Sequence, residues 1–353
     1  MAHRFRLFIG LVILIGTPFI GWPGIEHRAA QMNFAQCGIV LLISTFLPFS
    51  VGLFLLYSLV SLFIASGIND VSLKMFQMLF LGTLFFHFVR ENAKKDIDAW
   101  LNIIVAFFLV NIAWVILQSF GWQIYFKLGP EHRGGSMLGL PGIMGHRVFQ
   151  GILCAVATPI LIKKSFWFSP LILLGLYHSK SSVSVIGSLI SFLFLFPKKS
   201  ILISPLIFAS LLFIKKDLSL SSWIIIFERT FPMITDHWLG MGIGGFHNAM
   251  VIVKDAQTWW REAHNEFYQL YFEFGTIGIS IFCLFIFGIA KGFFVNRKDK
   301  TINVLIASFI AFLICCSGQP VMHVVRVAIP GIIITALIFA RFDQLGDIRG
   351  KLK

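Results

Sequence analysis

Hydrophobic positions along the chain fall into continuous runs of about 15 to 25 residues, separated by short polar connections. Runs of that length suit helices that cross a bilayer, whose hydrocarbon core takes about 20 apolar residues. They do not alternate in the two-residue period of a membrane β-barrel. The pattern predicts spans near 5–22, 33–47, 50–67, 71–89, 99–119, 147–162, 166–177, 182–196, 201–214, 264–290, 302–317 and 322–340. Pro48 interrupts the stretch from 33 to 67 and puts a turn there. The run at 166–177 is too short to cross unless its ends are buried in protein. The first run has Arg4 and Arg6 before it and no small-x-small cleavage site, so it reads as a retained anchor. The predicted fold is all-α, a single integral membrane domain over 1–353 with about twelve transmembrane helices.

Composition narrows the class. Of 353 residues, 57% are hydrophobic and only 13% are charged, about half the charged share of a soluble domain. That excludes a soluble enzyme, a nucleic-acid-binding domain and a secreted disulfide scaffold. Cys37, Cys154, Cys283, Cys315 and Cys316 all lie inside apolar runs and read as small packing residues, with no structural zinc and no disulfide expected. The formal charge of +13 comes from cations in the connections. With the N-terminus inside, 17 of the 29 basic residues fall on the inner side, in the groups around Arg4, Arg90, Lys163, Lys198, Lys298 and Arg341. This is the positive-inside distribution, and it puts both termini in the cytoplasm. Twelve basic residues break it by lying at outer positions. Arg133, Arg147, Lys180, Arg229 and Arg261 are among them, and an anionic ligand on the outer face accounts for such placement. Snorkelling to the interface accounts for Lys127, Lys215 and Lys216.

Two outer loops are long, 120–146 and 215–263, and the second is predicted to carry short helices. Gly240, Gly242, Gly244 and Gly245 lie in the second. They have two readings, a cradle whose backbone N–H groups meet phosphate oxygens or a tight turn at the membrane surface. Arginines at 229 and 261 suit bidentate phosphate binding. The serines of His178–Ser188 are placed to line a polar cavity. From Arg261 to Gly278 a helix would put His264, Tyr268, Tyr271 and Gly275 on one stripe. Glu262, Glu266, Gln269 and Glu273 would then lie on the other. Carboxylates in such a helix need protein or water on that face, so both faces are expected to be covered. His264 reads either as a hydrogen-bonded interfacial histidine or as a base, with Glu266 as the alternative base.

Taken together, these segments resemble the O-antigen ligase and O-antigen polymerase family of bacterial multi-pass membrane glycosyltransferases. The resemblance rests on the order Arg229, then Gly242-Ile-Gly244-Gly245-Phe246, then His264-Asn265, then Gly275-Thr-Ile-Gly278. Arg133-Gly134-Gly135 and, more loosely, Ser179-Lys180 add to it, and the match covers roughly 130–280. What it implies is transfer or polymerisation of a glycan from undecaprenyl diphosphate. The acceptor is a hydroxyl of lipid A–core or of another glycan, on the periplasmic face of the inner membrane, with inversion at the anomeric carbon. His264 would act as general base. Arg133, Arg147, Lys180, Arg229, Arg261, Gly242, Gly244, Glu266 and Tyr268 would bind substrate. With no D-x-D motif in an outer loop, transfer is expected to need no metal and no cofactor. Partners would be the lipid-linked donor, the acceptor and the bilayer, with no nucleic acid. A protein O-oligosaccharyltransferase is an alternative. It is disfavoured because the chain stops about a dozen residues after the last span. A transporter or flippase of lipid-linked sugar is the other, disfavoured because the polar groups gather at one outer face and not at the bilayer midplane.

Overall fold

The computed structural model describes residues 47–64, 70–120, 140, 142–144, 147–197, 218–235, 237–252, 263–319, 321–323 and 325–351. Regular structure among them is entirely helical. The helices are α1 (Phe49–Ile64), α2 (Asp70–Ala93), α3 (Ile97–Ser119), α4 (Arg147–Lys164), α5 (Ser169–Ser179) and α6 (Ser182–Leu195). They continue with α7 (Leu218–Ile234), α8 (Gly245–Ile252), α9 (Glu266–Asn296), α10 (Lys300–Cys316) and α11 (Val325–Lys351). Helix positions follow the hydrophobic runs closely. Pro48 starts α1, and its carbonyl accepts from Val51 and Gly52.

The count of about twelve spans is corrected. Among the described residues, four helices are long and apolar enough to cross a membrane, at Val71–Ala93, Ile97–Ser119, Glu266–Asn296 and Val327–Ile348. The reason is length. The apolar helices at Phe49–Leu62, Ser182–Leu195 and Lys300–Cys316 are shorter, and α5 has 11 residues. At 1.5 Å per residue such helices rise only about 17–26 Å, against a hydrocarbon core of about 30 Å. The 18 residues of α4 come nearer, but Arg147, Lys163 and Lys164 occupy its ends. The runs expected to span at 5–22, 33–47 and 201–214 lie outside the described residues, apart from Leu47.

The chain divides into two compact units. One contains α1, most of α2, residues 226–263 and residues 267–290. Its core joins α7, α8 and α9 through Ile226, Ile234, Phe246, Met250, Tyr268 and Phe272. Edge-on aromatic contacts fix the angles there, with Phe246 and Phe272 centroids 5.3 Å apart at 80°.

The other unit contains α3 to α6, residues 264–266, α10 and α11. α6 buries Ser184, Gly187, Ser188 and Ser191, and a Cβ on Gly187 would come within 3.0 Å of the Ala311 carbonyl of α10. Small residues permit this close approach where lipid offers no hydrophobic drive between helices. The serine hydroxyls are satisfied within the seam, Ser184 to Ser181 at 2.9 Å and Ser191 to the Ser188 carbonyl at 2.7 Å. They form a packing face where a polar cavity was expected.

One end of this second unit collects the basic connections. Arg341 grips Asp299 at 2.6 and 3.4 Å and donates to Gln344, which donates to the Lys94 carbonyl at 2.7 Å. Lys94 pairs with Asp343 at 3.2 Å, and Lys163 donates to Thr301. Asp299 also caps α10 through the Ile302 amide at 2.8 Å. Burial alone would push its carboxyl up. The bonds from Arg341 and from the helix amides outweigh that and hold it below the ordinary value. A depressed folded-state pKa contributes stability above the ordinary aspartate range of about 4, lost as pH falls through the folded value. Asp299→Asn is therefore expected to lower the unfolding temperature of the purified protein at pH 7 and to narrow its gap to wild type below pH ~4. An equal gap at both pH values would count against the linkage.

Candidate functional site

The motif residues divide between the two units. In the first, the glycine turn is held against a break in α9. Gly275 takes φ 59° and ψ −158° inside that helix, a conformation essentially reserved for glycine. The break frees the carbonyls before it. Met241 donates its amide to Phe272 O and Gly242 donates to Glu273 O, both at 2.9 Å, while Thr276 returns its amide to Trp238 O at 2.9 Å. Gly240, Gly242 and Gly244 all have positive φ. A Cβ on Gly240 would lie 2.5 Å from the Glu273 carbonyl, and one on Gly275 would lie 2.2 Å from the Trp238 carbonyl. Of the two readings of these glycines, the turn is what the geometry supports. The Gly242 amide, which a phosphate cradle would use, is spent on a helix carbonyl, as is that of Met241. Irregular backbone within an apolar helix is tolerable where protein satisfies it in this way.

Arg229 lies half-buried in α7, next to Thr230, whose hydroxyl bonds the Tyr268 hydroxyl at 2.7 Å. Tyr268 is 8% exposed and packs at a tilt beside Phe227, ring centroids 5.2 Å apart. It is a core residue whose hydroxyl is already bonded to Thr230. Gln269 and Glu273 are each 1% exposed and bonded to one another at 3.1 Å. Both faces of this helix start are covered by protein, as the paired stripes implied.

In the second unit, Arg147 opens α4 and donates to the Ser179 and Lys180 carbonyls at 3.5 and 3.1 Å. A guanidinium there satisfies carbonyls left over at the end of α5. Lys180 itself has φ 48° and sets its ammonium 3.9 Å from the Tyr177 ring centroid. The structure brings Arg147 and Lys180 together. Arg133 and Arg261 lie outside the described residues.

His264 is not on the α9 stripe, because the helix starts two residues later at Glu266 and His264 has φ 54°. Left-handed backbone is uncommon away from glycine, although histidine adopts it more often than most residues. Asn265 donates its side-chain amide to Ser317 O at 3.0 Å, which ties the turn to the connection after α10. Burial pushes the His264 imidazole below its ordinary value, opposed in part by Gln319. It is therefore neutral at pH 7, the state a base needs. Glu266 is 6% exposed and fully engaged. One oxygen accepts the Met322 and His323 amides, the second at 3.2 Å, and the other meets His323 Nδ1 at 2.9 Å. With these three partners on its two oxygens, the Glu266 carboxylate braces the 322–323 turn.

His323 and Gln319 were missed from sequence. The signal was present, since Ser317-Gly-Gln319 interrupts two apolar runs on the side assigned as outer. Compared with protein-family models, curated proteins and solved structures, the chain has no significant match in any of the three.

Proposed function

We propose that the protein is a membrane glycosyltransferase of the O-antigen ligase or polymerase type. It would transfer a glycan from undecaprenyl diphosphate to a hydroxyl acceptor at the periplasmic face of the bacterial inner membrane. In this reading both termini are cytoplasmic and 120–146 and 215–263 lie outside. His264 carries the proposal. It is a neutral, half-buried imidazole held off-helix in left-handed backbone, at the mouth of a long apolar helix. Strained backbone persists where surrounding structure over-determines it, and such positions cluster at functional sites.

The acceptor hydroxyl passes its proton to the imidazole as its oxygen forms a bond to the anomeric carbon. The bond from that carbon to the diphosphate breaks, and the electron pair leaves with the lipid diphosphate. Charge grows on the departing oxygens, and Arg229 is the residue given to them. Its fork grips two oxygens where an ammonium supplies a point charge. Arg229→Lys is thus expected to lose most transfer while expressing normally, and Arg229→Ala to lose more. Full turnover in the lysine variant would defeat bidentate binding there.

The test is transfer by the purified protein from a lipid-linked oligosaccharide, with lipid A–core, a second lipid-linked repeat unit and a serine peptide offered in turn. Product with either of the first two supports the reading and names the activity. Product with the peptide alone makes the protein a protein O-oligosaccharyltransferase. Donor crossing proteoliposomes without product makes it a flippase.

A further inference from the structure

From Phe274 to Ala290 the chain holds no charged residue, and it then meets Lys291, Arg297, Lys298 and Lys300 in quick succession. A helix leaving hydrocarbon in this way reaches the headgroup layer where its cations begin. Exposed aromatics mark the same level. Lys163, near the end of α4, donates to Thr301 in the first turn of α10. Just beyond it in the chain, Phe166 and Trp167 are 71% and 89% exposed, and tryptophan concentrates at membrane–water interfaces.

Between the end of α9 and α11 lies a cavity of about 380 Å³, lined by Phe294, Val295, Arg297, Lys298, Asp299 and Leu345. All six belong to the second unit. The charges in it are not equally engaged. Asp299 is gripped by Arg341 and caps α10. Among the described residues, neither the Arg297 nor the Lys298 side chain makes a hydrogen bond or an ion pair, and both are exposed. Phe294 and Val295 beside them are 67% and 55% exposed. Lys291 and Lys300 stand exposed on either side in the sequence. The segment carrying His264 is tied to Ser317, just past the far end of α10, and the 17 residues of that helix rise about 25 Å. The cavity is therefore separate from the candidate site.

This lining has two halves with different demands. A guanidinium and an ammonium side by side suit the oxygens of a phosphate. Exposed apolar side chains next to them gain by covering hydrocarbon. A small soluble anion would answer only the first half. A zwitterionic headgroup would bring its own ammonium among Lys291, Lys298 and Lys300, a like-charge contact. A phosphate with net negative charge and an attached acyl chain answers both, and basic pockets beside transmembrane helices take such headgroups.

We propose that this cavity binds an anionic membrane phospholipid, its phosphate held by Arg297 and Lys298 and its acyl chain laid along Phe294 and Val295. The inference does not rest on the glycosyltransferase reading, and the lipid here is a structural ligand and not a substrate.

The test uses the full chain, delipidated in an uncharged detergent at about 0.15 M salt. Native mass spectrometry counts bound lipid. The unfolding temperature is followed as phosphatidylglycerol, phosphatidylcholine or inorganic phosphate is added, since a ligand of the folded state raises it. Phosphatidylglycerol is expected to bind and to raise the unfolding temperature, and the other two to leave it unchanged. Arg297→Gln/Lys298→Gln is expected to weaken phosphatidylglycerol binding by roughly 30-fold. Lys95→Gln/Lys164→Gln removes the same charge outside the cavity and is expected to stay within about threefold of wild type. All four side chains are exposed, so both double variants should fold, which their unfolding temperatures without lipid report. Equal weakening in the two double variants would make the binding a property of overall charge and overturn the site. Equal stabilisation by phosphatidylcholine or by inorganic phosphate alone, or no binding of phosphatidylglycerol, would overturn the anionic lipid as its occupant.

Discussion

His264→Ala is expected to abolish glycan transfer while leaving binding of the lipid-linked donor in place. Removal of a general base costs about 100- to 10,000-fold. Loss of a positioning hydrogen bond costs about tenfold, roughly 1.4 kcal/mol. The variant keeps Asn265 on the Ser317 carbonyl and Glu266 on the 322–323 amides, so the turn stays fastened. It should therefore fold, and donor affinity measured alongside turnover separates chemistry from collapse. The pH profile carries the sign. Burial lowers the His264 pKa more than Gln319 raises it, so the wild-type acid limb should lie below about 6.5, the unperturbed histidine value. Activity is then kept at pH values where a solvent-exposed histidine would already be charged. A folded His264→Ala protein with more than about a tenth of wild-type transfer would reject the base role.

Gly275→Ala is expected to have the largest effect on folding. The residue sits at φ 59°, ψ −158°, and alanine there carries a strain of about 1–3 kcal/mol before any clash. A clash follows, because the new Cβ would lie 2.2 Å from the Trp238 carbonyl and 2.5 Å from the Gly240 amide. Backbone, not a movable side chain, stands in the way. Relief means parting the two strands of chain and breaking the amide bonds of Met241, Gly242 and Thr276 to their carbonyl partners. Each buried polar group left unpaired costs roughly 1–3 kcal/mol more. The total is a large part of the stability of an ordinary domain. Low yield of monodisperse protein and a collapsed unfolding temperature in detergent are the expected results. Gly288→Ala in the same helix is the control, since nothing lies within 4 Å of its Cβ. If both variants behave alike, the junction at Gly275 does not hold the turn.

The helices were legible in the sequence because hydrophobic runs are a local property. Each long run marks a segment that has to bury or satisfy its own backbone, and Pro48 punctuates one boundary by chemistry that acts within a turn. The charge pattern was legible for a similar reason. Basic connections expected on one side, around Lys94, Lys163, Asp299 and Arg341, do meet at one end of a unit. Burial of both faces at the start of α9 also followed from spacing, because Glu266, Gln269 and Glu273 on one stripe and tyrosines on the other leave no face for lipid.

What the tertiary structure decided depends on partners distant in sequence. A helical reading of Arg261 to Gly278 is the natural one from periodicity, yet His264 leaves the helix where Asn265 is tied to the Ser317 carbonyl some fifty residues away. Gly275 breaks the helix for the same kind of reason, since the carbonyls it frees have amides waiting at 241 and 242. Arg147 is drawn to the carbonyls of Ser179 and Lys180 instead of standing ready as a bare cation. Glu266 becomes a brace once His323 and two amides reach it. Residue type and spacing fix which groups are available for hydrogen bonding and charge. Which group takes which partner is settled only when remote segments pack, because each donor and acceptor has several alternatives of nearly equal energy until the geometry removes all but one.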